Sequence, residues 1–243
     1  MFSFFSNKKK LISTGILKGA TDWHCHILPG VDDGIQNMKD SLQALDYYGE
    51  IGISEVWLTP HIMEDMPNTT DELRARYAEL QEAYKGHIKL HLAAENMIDN
   101  LFQERLAKND FLPIGAKGEH LLVETSYYQP PIDLYDTLKH IKEIGYTPIL
   151  AHPERYRYMQ DSDYDYLHRN GVILQMNLLS LVGGYGRPAQ EKSLALLAKG
   201  YYSLFGSDLH FLPTFQQGIM TKALKKEVVD FLPGIQNMLL NIS

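Results

Sequence analysis

Seven short apolar runs, each followed by a stretch with helical spacing, constrain this chain most. The strand-like runs are residues 21–24, 55–59, 88–94, 121–123, 148–151, 172–176 and 202–205. Between and after them, helices are expected over 38–51, 70–84, 98–108, 131–144, 164–169, 188–199 and 222–231. The first carries Leu42, Leu45 and Tyr48 on one face and ends near Gly52. Continuous apolar strands alternating with helices require parallel pairing with both sheet faces covered. Seven such units predict a single α/β domain built as a distorted (β/α)7 barrel. At 243 residues the chain has the length of one such unit. The expected boundaries are an N-terminal extension over 1–19 and one domain over 20–243.

Most of these runs stop on a polar residue of one chemical type. The stops fall in Asp22-Trp23-His24-Cys25-His26, Val31-Asp32-Asp33-Gly34, Thr59-Pro60-His61, Ala94-Glu95, Val123-Glu124, Ala151-His152-Pro153-Glu154-Arg155 and Gly206-Ser207-Asp208-Leu209-His210. Catalytic residues of such barrels sit at the C-terminal ends of the strands. A carboxylate ending a buried strand is costly unless it is paired or bound to cations. Histidine with aspartate and glutamate is the donor set of a multinuclear hydrolytic metal centre. The candidate ligands are His24, His26, Asp33, His61, Glu95, Glu124, His152, Asp208 and His210. Any one of them alone reads equally well as a loop or packed residue. Their joint position at predicted strand ends makes the metal reading the stronger one.

Other features exclude more than they assign. The net charge of −7 argues against a nucleic-acid surface. A single cysteine allows no intramolecular disulfide and fits a cytoplasmic setting. No segment approaches the roughly 18 apolar residues of a membrane span. The N-terminal Phe/Lys arm, residues 1–10, has its apolar residues before its charges, opposite to a secretory signal. It reads as a partly ordered extension. The Gly-rich stretch 181–188 lacks the Gly-Lys-Ser/Thr of a phosphate loop and reads as a turn, with a flap at the site's mouth as the alternative. His87, His91, His120, His140 and His168 lie outside these motifs and read as solvated or packed.

The chain resembles the polymerase and histidinol phosphatase (PHP) superfamily from about residue 20 to residue 240. The stretches Asp22 through Gly34, Leu58-Thr59-Pro60-His61, Ala93-Ala94-Glu95, Ala151 through Tyr156 and Gly206 through His210 carry the resemblance. The His-Pro-Glu-Arg-Tyr stretch and the Asp-Asp-Gly turn make it similar to the bacterial capsule-associated, manganese-dependent protein tyrosine phosphatases. The resemblance implies three divalent metal ions, manganese first with iron or zinc as alternatives, held by the nine residues above. It implies that Glu95 bridges two ions and that Arg155 contacts the phosphoryl group. The implied substrate is a phosphotyrosine protein, the tyrosine-rich tail of a polysaccharide-export tyrosine kinase. Nucleic acid and an integral membrane segment are not expected.

The expected chemistry follows from the substrate. A phosphotyrosine carries about two negative charges at neutral pH. Metals neutralise that charge and supply a bound hydroxide as nucleophile. Cysteine-dependent tyrosine phosphatases place an arginine six residues after the nucleophile. Here that position is Val31, so Cys25 reads as a packed residue. Two alternatives remain open at this point. One is a small-molecule phosphomonoesterase such as a histidinol phosphatase, which needs a closed polar pocket. The other is a non-catalytic metal-binding module, which has no need of Arg155 or open coordination positions.

Overall fold

The computed structural model describes residues 8–235. The strands are β1 (Lys9–Lys10), β2 (Thr21–Cys25), β3 (Glu55–Leu58), β4 (His61–Ile62), β5 (Lys89–Leu92), β6 (Glu95–Met97), β7 (His120–Glu124), β8 (Thr147–Ala151), β9 (Ile173–Asn177), β10 (Tyr202–Gly206) and β11 (Lys222–Leu224). The α-helices are α1 (Met38–Ile51), α2 (Thr70–Ala83), α3 (Asn100–Lys108), α4 (Leu134–Glu143), α5 (Asp161–Arg169), α6 (Leu178–Leu181), α7 (Arg187–Ala198), α8 (Leu212–Met220) and α9 (Lys226–Phe231).

The local signals explain the boundaries. Asn37 caps α1 by accepting from the Asp40 amide at 3.0 Å, and Gly52 ends it at φ 97°. Thr69 and Glu72 form a capping box at α2. Asp99 accepts from the Phe102 amide at 2.8 Å and starts α3. All five residues of β2 and of β7 are buried, as a strand covered on both faces must be.

The strand order is β10-β9-β8-β7-β6-β4 in one parallel sheet and β2-β3-β5 in another. The two sheets are halves of the same seven-strand arrangement. β4 continues the path of β3 past Thr59-Pro60, and β6 continues β5 past Ala93-Ala94. Backbone bonds from Ala93 N to Leu58 O (2.9 Å) and from Glu95 N to Pro60 O (3.1 Å) bridge the interruption. The ladder stays open between β10 and β2. Bonds just beyond the strand ends span that gap: Asp208 N to His24 O (2.8 Å) and His26 N to Leu209 O (3.0 Å). The Asp22 carboxylate adds a third link by accepting from Ser207 N at 2.8 Å. The seven expected parallel strands are therefore present in sequence order, as a distorted and incompletely laddered barrel. Trp23, Trp57, Leu122, Ile149 and Leu204 pack together as one buried cluster. Leu122 and Glu124 are two residues apart on β7, so both face the same way, with the acid at the strand end.

The chain ends differ from expectation. Residues 222–231 do not form one helix, because Lys222–Leu224 pair antiparallel with Lys9–Lys10. Only Lys226–Phe231 is helical. The helix α8, opened by Leu212-Pro213, was not anticipated. Within the expected N-terminal extension, Leu11 and Leu17 are buried in the main core and Ile12 and Ile16 pack against it. The apolar part of the Phe/Lys arm, residues 1–7, lies outside the described residues, as do 236–243 of the expected domain. Among the described residues no helix is long and apolar enough to cross a membrane.

Candidate metal centre

All nine candidate ligands meet at the C-terminal ends of the strands. Eight of them form three groups whose donor atoms lie within 4.8 Å of one another: His26, Asp33, His61 and His210; His24, His26, Glu95 and Asp208; and His61, Glu95 and Glu124. His152 joins through Glu95, with Nε2 3.0 Å from Oε1. Glu95 is the hub. Its Oε2 lies 3.1 Å from His24 Nε2, 3.3 Å from His26 Nε2 and 3.2 Å from His61 Nδ1.

Several of these atoms are close without being hydrogen-bonded. Among the described residues, the buried atoms His61 Nδ1, Glu95 Oε2 and Glu124 Oε1 have no hydrogen-bond partner, although His61 Nδ1 lies 3.0 Å from Glu124 Oε1. Buried polar atoms are almost always paired. Donor atoms that converge without bonding one another fit a common cation, and a nitrogen and oxygen set suits manganese, iron or zinc.

The surroundings fix the outward side of three of the five imidazoles, as ligating histidines require. His26 Nδ1 faces Asp32 Oδ2 at 2.7 Å, and His24 Nδ1 faces Gln175 Oε1 at 3.0 Å. His210 Nδ1 lies 3.0 Å from the Asp208 carbonyl. Each leaves Nε2 directed into the cluster. Asp32 also accepts from His61 N at 3.0 Å and Gly34 N at 2.9 Å, so one carboxylate sets the turn and two candidate ligands. His152 and Asp208 both have positive φ, 33° and 51°. Such backbones cost about 1–3 kcal/mol and concentrate at functional sites.

The field of the site favours positive charge. Burial alone would lower the His24 pKa, but Glu95 and Asp208 override it and lift it to about 9. His26 is likewise held well above its usual range, with burial outweighed by Asp32, Asp208 and Glu95. Burial would raise Glu95, yet His24, His61 and His152 hold it well below the usual carboxylate range. Hydrogen bonding to His210 keeps Asp33 low, at about 2 despite its exposure. Carboxylates that stay charged when buried are what cations need as partners.

Arg155 stands beside this cluster. Its Nη1 donates to Asp208 Oδ2 at 2.6 Å. Its guanidinium lies between the rings of Tyr127 and Tyr185, 4.3 and 4.1 Å from their centroids. Glu154 is not its partner: that carboxylate is buried and accepts from Asn177 N (3.0 Å) and Tyr202 Oη (2.9 Å). A cleft of about 410 Å³ opens over the cluster, with Arg155, His152, Asp208 and Asp33 in its walls. Cys25 is fully buried, and burial pushes its thiol pKa well up, so it supplies no thiolate nucleophile. His87, His91, His120, His140 and His168 stand apart from the cluster.

The family of the chain is decided by its match over this framework. The model of the family described as capsular polysaccharide synthesis, CpsB/CapC, matches residues 20–228. This chain belongs to the CpsB/CapC family. It is similar to the tyrosine-protein phosphatase YwqE of Bacillus subtilis, 28% identical over 226 residues, covering 87% of this chain and 86% of the relative. It is 26% identical to the putative tyrosine-protein phosphatase CapC of Staphylococcus aureus, covering 78% and 76% of the two chains. A crystal structure from work on YwqE and the Streptococcus pneumoniae CpsB, described as unique metal-dependent tyrosine phosphatases, superposes with a TM-score of 0.78. Identity there is 25%, and the match covers 92% of this chain and 95% of the other.

Several residues around this cluster were not legible in the sequence. Asp32 and Gln175 orient imidazoles, and Asn177 Nδ2 donates to Asp208 Oδ2 at 2.9 Å. Tyr127 and Tyr185 hold Arg155. The stretch 181–188 does turn, but it also delivers Tyr185, whose hydroxyl lies 3.3 Å from Asp208 Oδ2.

Proposed function

We propose that this chain is a metal-dependent protein-tyrosine phosphatase. In this reading three divalent ions, manganese first, are held by His24, His26, Asp33, His61, Glu95, Glu124, His152, Asp208 and His210. The observation that carries it is one cleft holding both a convergent nitrogen and oxygen cluster and an aromatic-clamped arginine. Bound ions would neutralise phosphoryl charge and activate water for attack on phosphorus. Arg155 offers a planar set of donors to the phosphoryl oxygens, with its plane held by Tyr127 and Tyr185. A phenolate leaving group, with a conjugate-acid pKa of about 10, needs little protonation. The substrate is a phosphotyrosine protein. The tail of a tyrosine kinase of polysaccharide export fits the family's capsule-synthesis description, and the lone cysteine fits a cytoplasmic enzyme.

The cleft mouth supports a protein substrate over a small one. Phe211 at its rim is 64% exposed, and the Asp33 side chain is 61% exposed. The test is manganese-loaded hydrolysis of a phosphotyrosine peptide beside histidinol phosphate and a phosphoserine peptide. Preference for the phosphotyrosine peptide is expected; preference for histidinol phosphate would move the assignment to the small-molecule phosphatases. At saturating manganese, Arg155→Ala is expected to retain metal and fold while kcat/KM falls roughly 10- to 150-fold, the loss of one charge-assisted hydrogen bond of about 1.5–3 kcal/mol. Arg155→Lys should recover only part of this, lacking the planar contact. Unchanged kinetics with a lowered Tm would make Arg155 a structural partner of Asp208.

A further inference from the structure

The catalytic cleft continues into a larger groove of about 620 Å³, and the two share Tyr127, Arg155 and Tyr185. The groove repeats the chemistry of the cleft one step outward. In the cleft, Arg155 lies 4.3 Å from the ring centroid of Tyr127. In the groove, Arg157 lies 4.7 Å from that of Tyr128. The two pairs are joined at the backbone, since Arg157 N donates to Tyr127 O at 2.8 Å.

The other charged groups of the groove are committed elsewhere. Arg155 is bound to Asp208. Lys192 Nζ donates to the carbonyls of Tyr156 (2.6 Å) and Met159 (2.8 Å). Glu154 is buried and bound inward. Arg157 is exposed and has no carboxylate partner among the described residues. Tyr128 beside it is 64% exposed. An unpaired guanidinium over an open aromatic ring is a receptor for an anion. It stands out on a chain of net charge −7, whose overall field opposes acidic ligands.

We propose that Arg157, with Tyr128, binds an anionic side chain that flanks the phosphotyrosine of the substrate. This rests on the phosphatase reading above and adds a specificity determinant to it. Once the phosphotyrosine is seated in the cleft, neighbouring residues run into the groove, each advancing about 3.3–3.6 Å. The anion is a carboxylate or a second phosphate.

Three phosphotyrosine peptides separate these cases: a neutral one, one with Asp or Glu within three residues on either side, and one with a second phosphotyrosine there. The manganese-loaded wild type is expected to favour one or both anionic peptides by roughly two- to fivefold in kcat/KM, the size an exposed ion pair supplies. Preference for the carboxylate peptide, the bisphosphorylated peptide or both identifies the anion. The preference should lie in KM, shrink with added salt, vanish in Arg157→Ala and reverse in Arg157→Glu. Equal use of all three peptides by the wild type, or a preference that survives in Arg157→Glu, overturns the inference and leaves the phosphatase reading standing. Failure of the wild type to hydrolyse even the neutral peptide removes the phosphatase reading, and this inference with it.

Discussion

Glu95→Ala is expected to lose more than one metal ion per chain and to lower turnover by at least about a thousandfold. The carboxylate sits among four imidazoles, those of His24, His26, His61 and His152, at 3.0 to 3.3 Å. It belongs to two of the three donor groups, so its removal weakens both. Losing about 4 kcal/mol of charge stabilisation gives a factor of that size. Asp33→Ala is the comparison, because Asp33 belongs to one donor group and stands at the rim. It is expected to cost one ion. Elemental analysis of both reconstituted variants decides the matter: equal stoichiometries would remove the bridging role of Glu95.

Gly34→Ala is expected to damage the centre without replacing a ligand. A Cβ at Gly34 would lie 2.2 Å from the His26 carbonyl oxygen, 2.4 Å from His26 Cβ and 2.9 Å from Asp32 Oδ1. The first contact is backbone, so the turn itself must move. Asp32 in that turn orients His26 and accepts from the His61 amide, so two candidate ligands shift together. Overpacking of this kind costs about 1–3 kcal/mol. Disturbing a partner of a ligand weakens metal affinity about 10- to 100-fold. Thermal unfolding of the metal-free protein and a manganese titration read the two effects separately. Wild-type values in both would show the turn to be slack and Asp32 to be unimportant.

The site was legible where an apolar run ended on a lone histidine or acid. Glu124 and His152 announce themselves that way, because a buried strand rarely ends on an unpartnered charge. Asp32 did not, since an Asp-Asp-Gly turn offers two aspartates and only the fold shows which one faces His26. Tyr127 and Tyr185 were illegible among 15 tyrosines, because what distinguishes them is the cation they enclose. In the fold, α1 and α2 carried caps and periodicity that fixed their ends. The β1–β11 pair carried no local signal, because two or three residues from opposite ends of the chain specify it only by meeting. Its strand character overrode the helical spacing of residues 222–225. The breaks after Leu58 and Leu92 were also hidden, since an apolar run does not show where its ladder partner changes.

Phosphatase turnover in this chain is expected to depend on the cluster of nine and not on the thiol. Hydrolysis of a phosphotyrosine peptide measured against bound manganese per chain, for the wild type and Cys25→Ser, tests it most directly. Turnover should be absent after chelation, rise as the ions return, and be largely retained in Cys25→Ser. Turnover by the metal-free wild type, or its loss in Cys25→Ser with manganese still bound, would contradict a metal-dependent, thiol-independent reaction.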